Sequence, residues 1–179
     1  FFSSDNGPVW FDEDIELYDH EATYFLKGIK SDMWEGGHRM PFIVQWPGQT
    51  QAQTVSNELI GFTDILATFA DLTNTPINQS QFDSHSILSV ILGENSLNPI
   101  RNELVIDKNT LITNEWKLIN GHGGDNFNRA YSPSKERFQN LPKNEGELYR
   151  INTDSTESEN LYKSRPNEVS DLKHRLDSI

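Results

Sequence analysis

Between Phe1 and Gly48 the chain twice drives a short apolar run into residues that forbid its continuation, and polar groups collect at the stops. Phe1-Phe2 reads as the end of a buried strand, and Ser3-Ser4-Asp5-Asn6-Gly7-Pro8 follows as a turn in which Gly and Pro end it. Pro41 to Trp46 (PFIVQW) is a second β-rich run, halted by Pro47-Gly48. Between the two lie Lys30 and a Gly36-Gly37 turn carrying His38 and Arg39. In open α/β sheets ligands bind at the carboxyl ends of strands. The pattern therefore predicts an α/β fold with an oxyanion site built from an acid, a carboxamide and a lysine.

The rest of the chain reads as scaffold. Residues 9 to 29 scatter aromatics among acids without a clean period, which predicts a structured loop over the site. Leu59, Ile60, Phe62, Ile65, Leu66, Phe69, Ala70 and Leu72 have helical spacing, with Thr63 as N-cap, and predict a helix packed on the sheet. A shorter helix is expected from Ser84 to Leu92, ending at Gly93. After Pro99 the pattern changes to short β runs, Glu103 to Ile106, Thr110 to Thr113, Trp116 to Asn120 and Glu147 to Ile151, which predict a small antiparallel sheet. A Gly-, Asn-, Ser- and Pro-rich loop from Gly121 to Gly146 interrupts it. Val169, Leu172 and Leu176 place a closing helix over Glu168 to Leu176.

Charge and composition exclude several functions. The formal net charge of −12 opposes a polyanion gripped across a broad surface, so nucleic acid is not expected as a partner. A small anion can still be held where local cations outweigh the global field within about 10 Å. No run approaches the roughly 20 apolar residues of a membrane span. With no cysteine the chain has no disulfide, no thiolate metal site and no Cys nucleophile. There is no initiator Met, no signal peptide can be read, and the opening on Phe-Phe-Ser-Ser resembles a strand already under way, which suggests a fragment.

Each polar candidate has two readings. Asp5 and Asn6 offer oxygen to a hard divalent ion, Ca2+ or less readily Mg2+, or they form an ordinary Asp-Asn-Gly turn. Lys30 is an oxyanion contact or a solvated charge. The paired glycines permit positive φ or close backbone approach. Arg39 contacts substrate or pairs with a buried carboxylate. His38 beside the glycines can donate to an anion, and His20 lines the pocket mouth or is an ordinary surface histidine.

Taken together, Asp5-Asn6-Gly7-Pro8, Lys30-x-x-x-Trp34-Glu35-Gly36-Gly37-x-Arg39-x-Pro41 and Trp46-Pro47-Gly48 resemble the C-terminal half of the formylglycine-dependent sulfatases, of the alkaline phosphatase-like superfamily. The resemblance continues through Thr63-Asp64-Ile65-Leu66-Ala67-Thr68, Trp116-Lys117-Leu118-Ile119, Glu147-Leu148-Tyr149 and Glu159-Asn160-Leu161. It implies that residues 1–98 are the C-terminal part of an alkaline phosphatase-like α/β sandwich, and 99–179 a small antiparallel sheet subdomain with a terminal helix. It further implies Asp5 and Asn6 as Ca2+ ligands, Lys30 as the catalytic contact to sulfate, and His38 and Arg39 near the substrate, with His20 a further substrate-side candidate from its place in the sequence alone. The expected substrate is a sulfated small molecule or glycan, and the expected setting secreted or periplasmic.

The family's formylglycine nucleophile, made in a C-x-P-S-R motif, is expected in an N-terminal part that this sequence lacks, leaving the chain inactive alone. Tyr131-Ser132-Pro133-Ser134-Lys135 is a coincidental lookalike with Tyr at the Cys position. Gln45 before Trp-Pro-Gly, where many relatives carry Arg, is a further departure. A phosphoester or phosphonate hydrolase of the same superfamily, and a non-enzymatic module binding sulfated glycans, are the alternatives.

Overall fold

The computed structural model describes residues 1–94, 98–124 and 144–179. Its elements in chain order are β1 (Phe2–Ser3), α1 (Asp12–Tyr18), α2 (Glu35–His38), β2 (Phe42–Ile43), α3 (Asp64–Leu72), α4 (Leu88–Ile91), β3 (Glu103–Asp107), β4 (Thr110–Thr113), β5 (Lys117–Ile119), β6 (Glu147–Tyr149) and α5 (Pro166–Asp177). They fall into two compact units. The first comprises Phe1–Phe2 and Ile43–Leu104, the second Ser3–Phe42 and Val105–Ile179. Most of the expected 121–146 loop, including the Tyr131 to Lys135 segment, lies outside the described residues.

The antiparallel sheet has the order β3-β4-β5-β6. Leu111 faces Leu118 and Leu118 faces Leu148 across the ladder, while Ile112 faces Lys117 and Lys117 faces Tyr149. Because side chains alternate along a strand, this register sorts the sheet into two unlike faces. The leucine face packs on Val169, Leu172 and Leu176 of α5 to make the unit's core. Each such aliphatic side chain contributes roughly 1.5–3 kcal/mol when fully buried. The other face presents Lys117, Ile119, Glu147 and Tyr149, which are also buried, so the polar groups of Lys117, Glu147 and Tyr149 must find partners. Trp34 and Met33 pack on Ile119 and Tyr149 there.

In the first unit, α3 begins where helical spacing predicts, but not by the expected means. Thr63 makes no side-chain cap, and its backbone is already helical. Instead the Asp64 carboxylate accepts the N–H of Gly61 at 2.8 Å and that of His85 at 2.9 Å, and pairs with buried Arg101. Thr68 Oγ1 donates to the Asp64 carbonyl and accepts from Ile87 N–H; Ser84 Oγ accepts from Ala67 N–H and donates to the Thr63 carbonyl. The helix consequently buries Asp64, Ala67, Thr68 and Ala70, while Phe62, Leu66, Phe69 and Leu72 are exposed. The expectation that its large apolar residues are packed away is corrected here.

Two other expectations change. Phe1 and Phe2 are exposed rather than buried, because the sheet that takes up Phe2 has only the strands β1 and β2. Residues 12–18, expected as loop, form α1, whose first turn carries Asp12, Glu13 and Asp14 and whose Asp14 carboxylate accepts Phe11 N–H. Acids at a helix N-terminus stabilise it. None of the residues of α1 is buried, so it has no apolar stripe for periodicity to detect.

Asp64 joins α3 to the segments at 85 and 101, and removing one partner of a buried ion pair leaves the other uncompensated. Asp64→Ala is expected to destabilise the chain by about 3–5 kcal/mol, measured as a lowered urea midpoint.

Candidate active-site groove

Three stretches of backbone cross at Gly7, Gly36 and Gly37. Gly7 N–H donates to the Gly37 carbonyl at 2.9 Å, Gly36 N–H to that of Lys27 at 2.8 Å, and Lys30 N–H to that of Pro8 at 2.9 Å. A Cβ on Gly7 would stand 2.0 Å from the Gly36 oxygen, one on Gly36 2.2 Å from the Gly28 oxygen, and one on Gly37 2.1 Å from the Asp32 oxygen. Gly36 and Gly37 lie within α2, so the expected Gly-Gly turn is one turn of helix and needs no positive φ. Close approach is what requires glycine at these positions.

The crossing opens a groove of about 360 Å³ lined by Asn6, Lys30 and Arg39 together with Pro8, Tyr24 and Met40, among others. Lys30 and Asn6 are half-buried, and the Arg39 guanidinium lies 3.2 Å from Glu35 Oε2. The buried-carboxylate reading of Arg39 and its place along the groove thus hold together. Asp5 is exposed in the same turn, with Ser4 Oγ 3.5 Å from its Oδ1. Asp5 and Asn6 supply hard oxygen donors of the kind calcium takes, but calcium gathers about six to eight. Among the described residues no group of three His, Cys, Asp or Glu side chains could hold a metal ion. The pair fits part of a coordination sphere.

Behind the groove, the polar face of the sheet grips α2. Lys117 Nζ lies 2.9 Å from Glu35 Oε1 and 2.8 Å from Glu157 Oε1, and Glu157 Oε2 accepts Glu35 N–H at 2.6 Å. His38 Nε2 stands 3.4 Å from Glu35 Oε1 and 3.3 Å from Lys117 Nζ. Burial pushes the Glu35 carboxyl up, but the His38 hydrogen bond and the Lys117 charge outweigh it and hold the group at about 2. Burial pushes Glu157 up more than Lys117 pulls it down. The His38 imidazole is lowered by burial, with the Lys117 charge adding to it and Glu35 opposing.

A second cluster centres on Glu147. Its Oε2 accepts from Trp34 Nε1 at 2.6 Å and Tyr149 OH at 2.7 Å, and its Oε1 from Gly123 N–H at 3.0 Å and Asn144 Nδ2 at 2.8 Å. Burial alone would raise this carboxyl, and the donors more than reverse it. Lys27 bonds to Tyr149 OH at 3.2 Å and sits 4.0 Å from the Trp34 ring centre.

Of the expected site residues, Asn6, Lys30 and Arg39 line one groove, with Asp5 beside them in sequence. His38 turns to Glu35 and Lys117 instead, and His20 is exposed, its carbonyl accepting Trp10 Nε1 and its ring edge-on to Trp10. Sequence reasoning missed Lys117 and Glu157 as structural partners of α2, and Glu147 as the partner of Trp34 just before it. The available signal was a charged residue inside an otherwise apolar strand, as in Trp116-Lys117-Leu118-Ile119.

With this geometry in view, the chain can be compared with known proteins. The sequence model of the Sulfatase family matches residues 1–75. An arylsulfatase of Hemicentrotus pulcherrimus is 43% identical over 100 residues, covering 55% of this chain and 17% of that protein. An N-acetylgalactosamine-6-O-sulfatase of Bacteroides thetaiotaomicron is 27% identical over 192 residues, covering 99% of this chain and 35% of that protein. A solved structure described under glycosaminoglycan metabolism by Bacteroides thetaiotaomicron superposes with a TM-score of 0.77 at 29% identity, over 99% of this chain and 37% of its own. The family match falls on the stretch that carries Asp5-Asn6-Gly7-Pro8, Lys30 and the Trp34 to Pro41 block, and the end-to-end likeness to sulfatases continues beyond it. It spans about a third of the length of the relatives that it matches end to end.

The glycine crossing and the buried triad each yield a test. Gly36→Ala forces a Cβ against backbone carbonyls and is expected to cost about 3 kcal/mol or more by chemical denaturation. Glu35, with its folded value below the ordinary 4.5, adds stability that is present above that value and lost as pH falls towards about 2. The loss is roughly 3 kcal/mol. Thermal melts between pH 5 and pH 2 are expected to fall more steeply for the unaltered chain than for Glu35→Gln.

Proposed function

We propose that this chain forms part of a longer sulfatase that hydrolyses a sulfate ester on a carbohydrate. The single observation that carries the reading is the shared groove of Asn6, Lys30 and Arg39, with Asp5 in the adjoining turn. Two cations and a carboxamide facing one cavity suit an anionic group, in a chain whose net charge of −12 would otherwise repel it. The glycan assignment draws on the N-acetylgalactosamine-6-O-sulfatase that matches this chain from end to end.

Hydrolysis of a sulfate ester puts negative charge on the sulfuryl oxygens and the leaving oxygen. Lys30, as a compact ammonium, stabilises that charge as it develops. Arg39, restrained by Glu35, adds a second positive group for orientation. Asp5 and Asn6 would supply oxygen ligands to a Ca2+ ion, whose charge would polarise the ester. The nucleophile in this reading is a formylglycine, and none of the 179 residues is assigned to it. The same proposal divides the chain at residue 98 into the end of an alkaline phosphatase-like sandwich and a small sheet subdomain. It expects a secreted or periplasmic protein; among the described residues no helix is long and apolar enough to cross a membrane.

Turnover of an aryl sulfate against an aryl phosphate by the full-length protein tests the reaction class, and sulfate is expected to be strongly preferred. In that protein Lys30→Ala is expected to lower kcat by about 10²- to 10³-fold. Near-normal turnover would remove Lys30 from the chemistry.

A further inference from the structure

One wall of the groove is an aromatic side chain held in a backbone conformation that aromatics avoid. Tyr24 lines the cavity with Asn6, Lys30 and Arg39, is 75% exposed, and has φ of +61°. For a residue with a bulky Cβ the left-handed region costs roughly 1–2 kcal/mol, and such strain collects at binding and catalytic sites. The neighbouring backbone maintains it. Tyr24 N–H donates to the Glu21 carbonyl at 3.0 Å, and Leu26 N–H to that of Thr23 at 3.1 Å. The Phe25 ring abuts the Tyr24 ring edge-on, with centres 4.7 Å apart, limiting its movement. Most of the residue's surface meets solvent, so burial is not what keeps the ring in place.

We propose that Tyr24 is a specificity-determining residue whose ring stacks on the sugar that carries the sulfate ester. The inference rests on the proposed sulfatase reading and deepens it by naming how the groove recognises the non-sulfate part of its substrate. A pyranose has an apolar C–H face and a polar rim, and a tyrosine offers a flat apolar face with few rotors to immobilise. Lys30 and Arg39 along the same groove take the anionic end. One cavity thereby presents charge to the sulfate and an aromatic plane to the ring.

The test compares Tyr24→Phe and Tyr24→Asn in the full-length enzyme, on a 6-sulfated N-acetylgalactosamine and on a small alkyl sulfate that has no ring to stack. Asparagine adopts the left-handed conformation readily, so Tyr24→Asn removes the ring without destabilising the loop. The expected result is a rise of about 10-fold or more in KM for the sulfated sugar, kcat nearly unchanged, and alkyl sulfate kinetics unaffected, with Tyr24→Phe close to the unaltered enzyme. Equal effects of Tyr24→Asn on both substrates, or no effect on either, would overturn the proposal. If the unaltered protein cleaves no sulfate ester, the sulfatase reading fails separately. Calorimetric titration with the sulfated sugar then decides: binding that Tyr24→Asn abolishes supports the role of Tyr24, and equal or absent binding rejects it.

Discussion

A single ammonium group buried in the middle of a sheet sets the internal arrangement of the second unit. Lys117 is fully buried, and moving such an ion out of water costs several kcal/mol even after relaxation. Glu35 and Glu157 offset that cost, one from α2 and the other from the segment after β6. Two carboxylates around one ammonium do not ionise with equal ease, and here Glu35 is held low while Glu157 is pushed up. Because Glu157 also accepts the Glu35 N–H, the start of α2 is fixed in position as well as in charge.

That fixation is what makes the groove possible. Gly36 and Gly37 follow Glu35 directly, and the Asp5-Asn6-Gly7 turn lies on them through backbone contacts that a methyl group would prevent. The Lys30 backbone is tied to Pro8 by its own N–H. The groove residues are therefore set by main-chain packing anchored on a buried ion cluster, and their long side chains have only the last few ångströms to find.

The motif residues far along the chain have the same logic. Glu147 and Tyr149 of β6 receive Trp34 and Lys27, holding the stretch that leads into α2. Asn160 accepts from Leu148 N–H and Tyr162 N–H and donates to the Gly146 carbonyl, so the chain after β6 folds back along it. Within the first unit Asp64 and Thr68 serve as polar staples of α3 in a comparable way. These residues are positional supports, and none of them lines the groove.

How much of this could be read beforehand follows from the range of the interactions involved. The four sheet strands, the closing helix and the helix after Thr63 announced themselves because alternation and 3.6-residue spacing are local consequences of burying one face. Asp5, Asn6 and Lys30 stood out as polar types at the stops of apolar runs. Local pattern was blind to α1, which buries nothing, and it misjudged α3, whose buried face was chosen by hydrogen bonds to Ser84, Ile87 and Arg101 rather than by hydrophobicity. It also gave no means of choosing between substrate and ion-pair roles for His38 and Arg39. By itself, then, the sequence determined most of the elements and picked out Asp5, Asn6 and Lys30 as candidates. Only the tertiary structure decided that Lys117 and Glu157 meet Glu35, that His38 turns towards them, and that Tyr24 shares a groove with Lys30, because contacts between residues far apart in the chain depend on how the faces pack.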